Sequence, residues 1–266
     1  MGKRKIAVIL LLASLLAAGC QRQQWEEATE ADDTEQGAEV SLMKSEENEE
    51  NEENLLQEYY ALLMTTKEKE DVYRFLEKHA AGAEPKDADQ LVNGLIGYLT
   101  DVDAVDYNRL VKQKNNFTVE MQEFIELMKQ EQNTPAVFGS KINVPLSELL
   151  LRVEQMEEHA RKYPEGITYQ YIYEKYCQLM CAGITGFYDG ASDWSNCYLD
   201  TDQLHIEEAA VLAYTDFTAA YPDSYTSDIL QEYLNLLSEN DRLFTKQVKK
   251  FYGRIESVIK ENFPVE

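Results

Sequence analysis

The sequence predicts an all-α fold, either a multi-helix bundle or a short irregular solenoid of helical hairpins, with about nine or ten helices. The first reason is that apolar side chains recur at three- and four-residue steps through most of residues 55–266. The second is that 12 Gly and 6 Pro in 266 residues are too few for a turn-dense β-sandwich or a Gly-rich nucleotide-binding fold. Because 44% of the residues are hydrophobic, the chain can bury a core and is not wholly disordered.

Amphipathic stripes follow one another along the chain, and each predicts one or more helices. In order, their apolar residues run from Leu55 to Leu63, Val72 to Leu76, Leu91 to Leu99, Met121 to Met128, Leu146 to Met156 and Leu243 to Ile259. Between the stripes lie segments of turn-forming residues, at 82–85, 133–145, 163–166 and 221–224. Residues 167–173 alternate as in a strand, but Tyr173, Tyr176 and Met180 continue at helical spacing, so we predict a helix there.

A short internal repeat lies in the second half of the chain. Residues 159–168 and 217–226 align without gaps, and both contain Tyr-Pro, an acidic residue, a small residue and a final threonine. Proline stops one helix, the acidic and small residues form a turn, and Thr168 or Thr226 can cap the next helix through its hydroxyl. This phrase resembles the turns between helices in tetratricopeptide-type proteins, and the resemblance implies stacked helical hairpins.

The N-terminus has the pattern of an export signal. Lys3, Arg4 and Lys5 precede an apolar stretch from Ile6, which is shorter than the roughly 20 residues needed to span a bilayer. The end of this stretch, Leu-Ala-Ala-Gly-Cys20, resembles the lipobox of bacterial lipoprotein signal peptides. That resemblance implies removal of residues 1–19, a diacylglyceryl group on Cys20 and an extracytoplasmic protein anchored to the membrane. Since Gln21 and not Asp follows, the family's sorting pattern implies the outer membrane in a cell with two membranes.

An acidic segment separates the signal from the helical domain. Residues 21–54 hold 13 acidic and two basic side chains and lack apolar periodicity, so residues 20–54 are predicted to be a lipidated cysteine followed by a disordered tether. The domain is predicted to cover residues 55–266. The whole chain has a net charge of −24 and a sequence pI of about 4.5. This charge repels phosphate backbones, so no nucleic-acid partner is expected.

Few residues suggest a catalytic or metal site, because the chain has only three histidines. His79 is expected at a helix end, and His159, among charged neighbours, is expected to be solvated or ion-paired. His205 is expected to open a helix with Glu208 on the same face. This pair resembles the His-x-x-Glu pair of imelysin-type iron-associated lipoproteins, which implies a metal site. No catalytic motif is found, so no enzyme activity and no cofactor are assigned.

The segment from residue 177 to residue 202 contains two further candidate features. Cys177 and Cys181 lie one helical turn apart, and a disulfide from Cys197 to either of them is as plausible as buried free thiols. The loop after this helix supplies hard oxygen ligands suited to Ca²⁺ beside an aromatic side chain suited to partner contact. Its candidate binding residues are Asp189, Asp193, Trp194, Asp200 and Asp202.

Together these features favour an interaction module that binds a surface or envelope protein. The alternative is a solute- or metal-binding lipoprotein that uses His205, Glu208 and the loop of residues 189–202. A third possibility is an enzyme acting on wall polymer through paired carboxylates, for which the domain's many acidic residues single out no pair.

Overall fold

The computed structural model describes residues 54–187, 198–202 and 204–263. The all-α prediction is confirmed, because 73% of these residues are helical and the helices pack as hairpins. Within the described ranges there are eleven α-helices, joined by short loops and by three 3₁₀ segments at Ala80–Gly82, Val102–Ala104 and Val111–Asn116. In the same ranges, no helix is both long enough and apolar enough to cross a bilayer.

The first helix, α1, covers residues 54–65. It is followed by α2 (Lys69–His79), α3 (Pro85–Leu99), α4 (Tyr107–Leu110), α5 (Val119–Asn133), α6 (Leu146–Lys162), α7 (Tyr169–Thr185), α8 (Glu208–Ala220), α9 (Tyr225–Glu239), α10 (Lys246–Tyr252) and α11 (Ile255–Asn262). Two short strands, β1 (Val137–Phe138) and β2 (Lys141–Ile142), form an antiparallel hairpin between α5 and α6 with Val137 opposite Ile142. As predicted, His79 ends a helix and residues 169–173 are helical.

Helices that are adjacent in the chain pack against each other, and successive pairs are stacked. The pairs are α2 with α3, α4 with α5, α6 with α7, and α8 with α9. Helix α6 also contacts α5, α8 and α9, while α11 contacts both α7 and α9. The stack therefore has one continuous core, into which each helix points its apolar stripe.

Tyrosines supply much of the volume of this core. The largest fully buried side chains include Tyr59, Tyr107, Tyr176, Tyr214 and Tyr233. Each of these five hydroxyls has a partner: for example, the Tyr59 hydroxyl donates to the carbonyl of Leu91 at 2.6 Å, and that of Tyr214 donates to the carbonyl of Gly183 at 2.8 Å. These bonds allow a polar group to be buried at little cost, so the tyrosine stripe on α7 belongs to the core and does not line a groove.

Three carboxylate–threonine clamps join the helix pairs. In each clamp, one carboxylate accepts hydrogen bonds from both the backbone N–H and the hydroxyl of a threonine near the start of a helix. The clamps pair Asp89 of α3 with Thr118, Glu120 of α5 with Thr168, and Glu157 of α6 with Thr226. The N···O and O···O distances are 3.1 and 2.6 Å at Thr118, 2.8 and 2.7 Å at Thr168, and 2.9 and 2.7 Å at Thr226.

The clamps correct the capping roles that the repeat predicted. Thr168 is the residue before α7, but its hydroxyl donates to Glu120 and makes no cap hydrogen bond. At the second turn the cap is Ser224, whose hydroxyl accepts from the N–H of Ser227 at 3.0 Å. A carboxylate from another helix is a stronger acceptor than a neutral carbonyl, so each threonine donates across the interface between helix pairs.

Gly166 makes room for the clamp between Glu120 and Thr168. A Cβ atom at this position would overlap the carboxylate of Glu120. Moving this carboxylate away would break its two hydrogen bonds to Thr168, each of which is worth about 1.5–3 kcal/mol because the acceptor is charged. The small residue in the repeat is therefore needed for packing as well as for the turn.

We predict that Gly166→Ala lowers the free energy of unfolding by about 1–3 kcal/mol, since Glu120 must leave Thr168. The matched control is Gly97→Ala in α3, where an added Cβ meets no atom within 4 Å. The control should be neutral or should stabilise the helix by up to about 1 kcal/mol. Urea denaturation measures both variants, and equal free energies of unfolding would contradict the role assigned to Gly166.

Candidate functional site

A groove of about 800 Å³ runs between α5 and α6. One wall is the face of α5 that carries Gln122, Glu126 and Asn133, and the opposite wall is the last two turns of α6, from Gln155 to Lys162. Lys114, from the 3₁₀ segment before α5, closes one side. The β-hairpin connects the two helices in the chain, and the groove between them is open to solvent.

Charges in the groove are balanced, unlike those of the rest of the domain. Three lysines and three glutamates line it: Lys114, Lys129, Lys162, Glu123, Glu126 and Glu158. In contrast, residues 55–266 as a whole hold 36 acidic and 20 basic side chains. Glu126 pairs with Lys114 at 2.9 Å and with Lys129 at 3.2 Å, and Glu123 pairs with Lys162 at 2.7 Å.

Amide and apolar side chains fill the space between the charges. Four amide side chains line the groove, those of Gln122, Gln130, Asn133 and Gln155; Gln122 already donates to the carbonyl of Phe117, and Asn133 pairs with Asn108. Leu127 and Val119 provide apolar surface, and Val119 is 60% exposed. Such a mixture can hydrogen-bond a polar chain and also bury its apolar side chains.

His159 lies in the wall of this groove, and the prediction that it is solvated is wrong. Only 3% of the residue is exposed, because the turn at residues 163–166 folds α7 back and places Thr168 against the ring. The Nε2 atom lies 2.9 Å from the hydroxyl oxygen of Thr168. Since that hydroxyl donates to Glu120, it accepts from Nε2–H, and Nδ1 therefore carries a lone pair.

Nδ1 of His159 is buried and has no hydrogen-bond partner among the residues that the structure describes. The nearest carboxylate oxygen, Oε2 of Glu123, is 4.0 Å away. Two acceptors thus face each other without a donor between them. Glu123 already accepts hydrogen bonds from Lys162 and Tyr163, so the unsatisfied atom is Nδ1 of His159, and it marks a place beside the groove where a ligand can add a hydrogen bond.

The environment favours the neutral imidazole and the ionised carboxylate. Burial lowers the pKa of His159, and it outweighs the opposite effect of Glu120 and Glu123. For Glu123 burial acts to raise the pKa, but hydrogen bonds from Lys162 and Tyr163 hold it below its ordinary value. At neutral pH this end of the groove therefore offers one neutral and one charged acceptor.

The structure does not bring the predicted pair of His205 and Glu208 together as a site. His205 forms an isolated β-bridge with Leu243, and α8 begins only at Glu208. Nδ1 of His205 is bound to Oδ2 of Asp202 at 2.7 Å, while the other oxygen of Asp202 accepts from the backbone N–H groups of Leu204 and His205. These bonds lower the pKa of Asp202 and make a turn, which is a structural role.

The remaining predictions for the loop fall partly outside the described residues. Asp200 is described, and its backbone N–H donates to the carbonyl of His205 at 2.8 Å. Asp189, Asp193, Trp194 and Cys197 lie outside the described ranges. In the part of the chain that is described, no three His, Cys, Asp or Glu side chains are close enough together to hold a metal ion.

Cys177 and Cys181 are free, partly buried cysteines on α7. Burial raises the pKa of both thiols, that of Cys181 to about 12. Both are therefore protonated and unreactive at neutral pH. A disulfide with Cys197 stays a prediction, since that residue lies outside the described ranges.

The groove was not predicted from the sequence. Its polar residues on α5 recur at helical spacing, but a polar stripe normally indicates the solvent face of a helix. The sequence feature that could have indicated the groove is the high content of amide side chains in this stripe, with Gln122, Gln130 and Asn133 on one helix. This stripe becomes part of a concave surface only because the last two turns of α6 lie opposite it.

We predict that His159→Phe makes the stability of the protein less sensitive to acid. Because the pKa of His159 is lowered on folding from its ordinary value of 6.5, the unfolded chain binds more protons below that pH. The contribution of His159 is thus complete above the unfolded pKa and is lost as the pH falls. Phenylalanine keeps a ring but cannot titrate, and at neutral pH it costs about 1 kcal/mol through the lost bond to Thr168.

Urea denaturation at several pH values between about 5 and 7.5 measures this effect as the difference between variant and parent. Glu154, whose pKa burial raises to about 7, contributes with the opposite sign but equally to both proteins. His79→Phe, at the end of α2, is the control and should keep the acid sensitivity of the parent. Parallel pH profiles for parent and His159→Phe would show that His159 does not titrate as described.

Comparison of the chain with protein-family models, with curated proteins and with solved structures finds no match.

Proposed function

We propose that this protein is an extracytoplasmic lipoprotein whose helical domain binds a polypeptide segment of a surface or envelope protein in the groove between α5 and α6. The observation that supports this proposal is the groove itself, a charge-balanced, amide-lined concavity on a strongly acidic domain. An interaction module needs such a surface. It does not need a metal-binding cluster, and among the described residues no three His, Cys, Asp or Glu side chains form one.

The lining of the groove suits a polypeptide better than a small apolar ligand. The side-chain amides of Gln130 and Gln155 can each donate to a carbonyl and accept from an N–H group, which is what an extended peptide backbone requires. Leu127 and Val119 offer surface for one or two apolar side chains of the segment. The volume of about 800 Å³ is within the range of ligand sites, and the groove is open to solvent.

The balance of charge matters because the rest of the domain is negative. Most surfaces of this domain repel acidic polypeptides, while the groove offers lysine side chains as well as glutamates. A segment that binds here is held by short-range contacts, and it avoids the repulsion that it would meet elsewhere on the domain.

The lipobox and the acidic segment suggest how the domain is held at the membrane. Two or three acyl chains anchor a protein stably, whereas one chain does not. Residues 21–54 could reach up to about 120 Å when fully extended, which is enough to present the domain away from the bilayer.

We expect Cys20→Ser to abolish the lipid anchor. The variant should lose incorporation of an alkyne-tagged palmitate and should move from the membrane fraction to the soluble fraction in the exporting host. Cys177→Ser is the matched control, because this thiol is partly buried in α7 and should not change either property. Unchanged labelling of Cys20→Ser would remove the proposed anchor.

The groove is tested by photo-crosslinking in the exporting cell. A benzophenone amino acid replaces Gln155, which is exposed in the groove, or Gln231, which is exposed on α9 outside it. We expect a discrete protein adduct from position 155 that is absent at position 231. Adducts of equal yield at both positions, or none at position 155, would contradict polypeptide binding in the groove.

A further inference from the structure

We propose that the end of the groove formed by His159 and Glu123 binds an alkylammonium group, and that this group is a lysine side chain of the polypeptide that the groove takes. The source of the ammonium group rests on the proposed function. The ammonium site itself rests on the geometry of this end of the groove, which can be tested without any partner.

The two acceptors are placed for one shared donor. Nδ1 of His159 carries a lone pair and has no partner in the described part of the chain, and Oε2 of Glu123 lies 4.0 Å from it. A nitrogen about 2.8–2.9 Å from each atom completes a triangle with an angle of about 90° at the nitrogen, which two N–H bonds of an ammonium group can meet with hydrogen bonds bent by about 10° each. An ammonium group has three donors, so it satisfies both atoms and keeps one N–H for solvent.

The negative charge at this end of the groove favours an ammonium group over a neutral amide as the ligand. The Glu123 carboxylate is ionised, and Glu158 lies in the same wall of the groove. A backbone or side-chain amide could satisfy one acceptor but would leave the carboxylate without a counter-charge on the ligand. A metal ion is not favoured, since no third ligand accompanies this pair in the ranges that the structure describes.

The chain already places an ammonium group at this position. Nζ of Lys162 lies 2.7 Å from Oε1 of Glu123 and 5.1 Å from the centre of the Tyr163 ring. A carboxylate beside an aromatic face is a common environment for an alkylammonium group. Lys162 thus shows which chemistry the Glu123 side of this end of the groove accepts.

Lys162 can be displaced at small cost. Its side chain is 51% exposed and lies in the last turn of α6, so it can move into solvent. An exposed ion pair contributes little to stability, because water and salt screen it. When the side chain moves away, an incoming ammonium group can replace its charge beside Glu123.

The test is a titration of the full-length chain in detergent, labelled with nitrogen isotope in its histidine rings, with n-butylammonium chloride. The His159 resonances are assigned by their loss in His159→Phe. We expect n-butylammonium to shift the Nδ1 resonance of His159 with saturation. Tetramethylammonium, which has the charge but no N–H donor, and n-butanol, which has a hydroxyl but no charge, should leave it unchanged.

Variants of the chain make the result specific. Glu123→Gln should abolish the saturable shift, whereas Glu126→Gln, which removes the next carboxylate of the same groove wall, should leave it in place. Lys162→Met should lower the n-butylammonium concentration for half saturation by up to about fivefold, as expected for removing a competing exposed ion pair. This last variant keeps the fold, so it tests the site even where Glu123→Gln is unstable.

Three results would overturn the inference. They are the lack of a saturable shift with n-butylammonium, an equal shift with tetramethylammonium, and equal effects of Glu123→Gln and Glu126→Gln. A failed titration with a persistent crosslink at position 155 would remove the ammonium site and leave polypeptide binding. A successful titration without that crosslink would support the ammonium site and contradict its polypeptide source.

Discussion

The stacking of this fold depends on buried or partly buried carboxylates that reach from one helix to the threonine at the start of another. Each of the three clamps gives a charged acceptor two donors at one point. Hydrophobic contact alone would let one helix pair slide over the next, since it has no direction. The hydrogen bonds of the clamps are directional and hold the helix pairs in one position. Burying the carboxylate charge is unfavourable: burial raises the pKa of Asp89 to about 6 even though Thr118 donates to it twice.

The clamp at Thr168 also connects the fold to the groove. Its hydroxyl donates to Glu120 and accepts from His159, so the bond that fixes the start of α7 also fixes the tautomer of the imidazole. The clamp at Thr226 has the same form, with the Tyr176 hydroxyl in the place of the imidazole. At Thr226 the group bound to the threonine hydroxyl is that of Tyr176, which is buried in the core. At Thr168 it is the imidazole of His159, whose second nitrogen has no partner among the described residues and lies beside the groove.

The sequence was sufficient to predict the helices but not the contacts between them. Apolar periodicity is a local property, and it placed the helices because each stripe lies within a few turns. The two residues of each clamp are far apart in the sequence, as Glu120 and Thr168 are. Nothing in the sequence distinguishes the acidic residue of a clamp from the many other acidic residues. His159 was misjudged for the same reason: its neighbours in the chain are charged, but its neighbours in space belong to α7.

The position of the groove in the chain determines which parts of the fold would carry tension. A protein held at its N-terminus and pulled through a segment bound between α5 and α6 is stretched only along the chain from the tether to those two helices. Of the three clamps, the one at Thr118 joins two helices of this path, α3 and α5, and resists their separation. The helix pairs after α7 lie beyond the point of attachment. They support the walls of the groove through α6, and no pulling force passes through them.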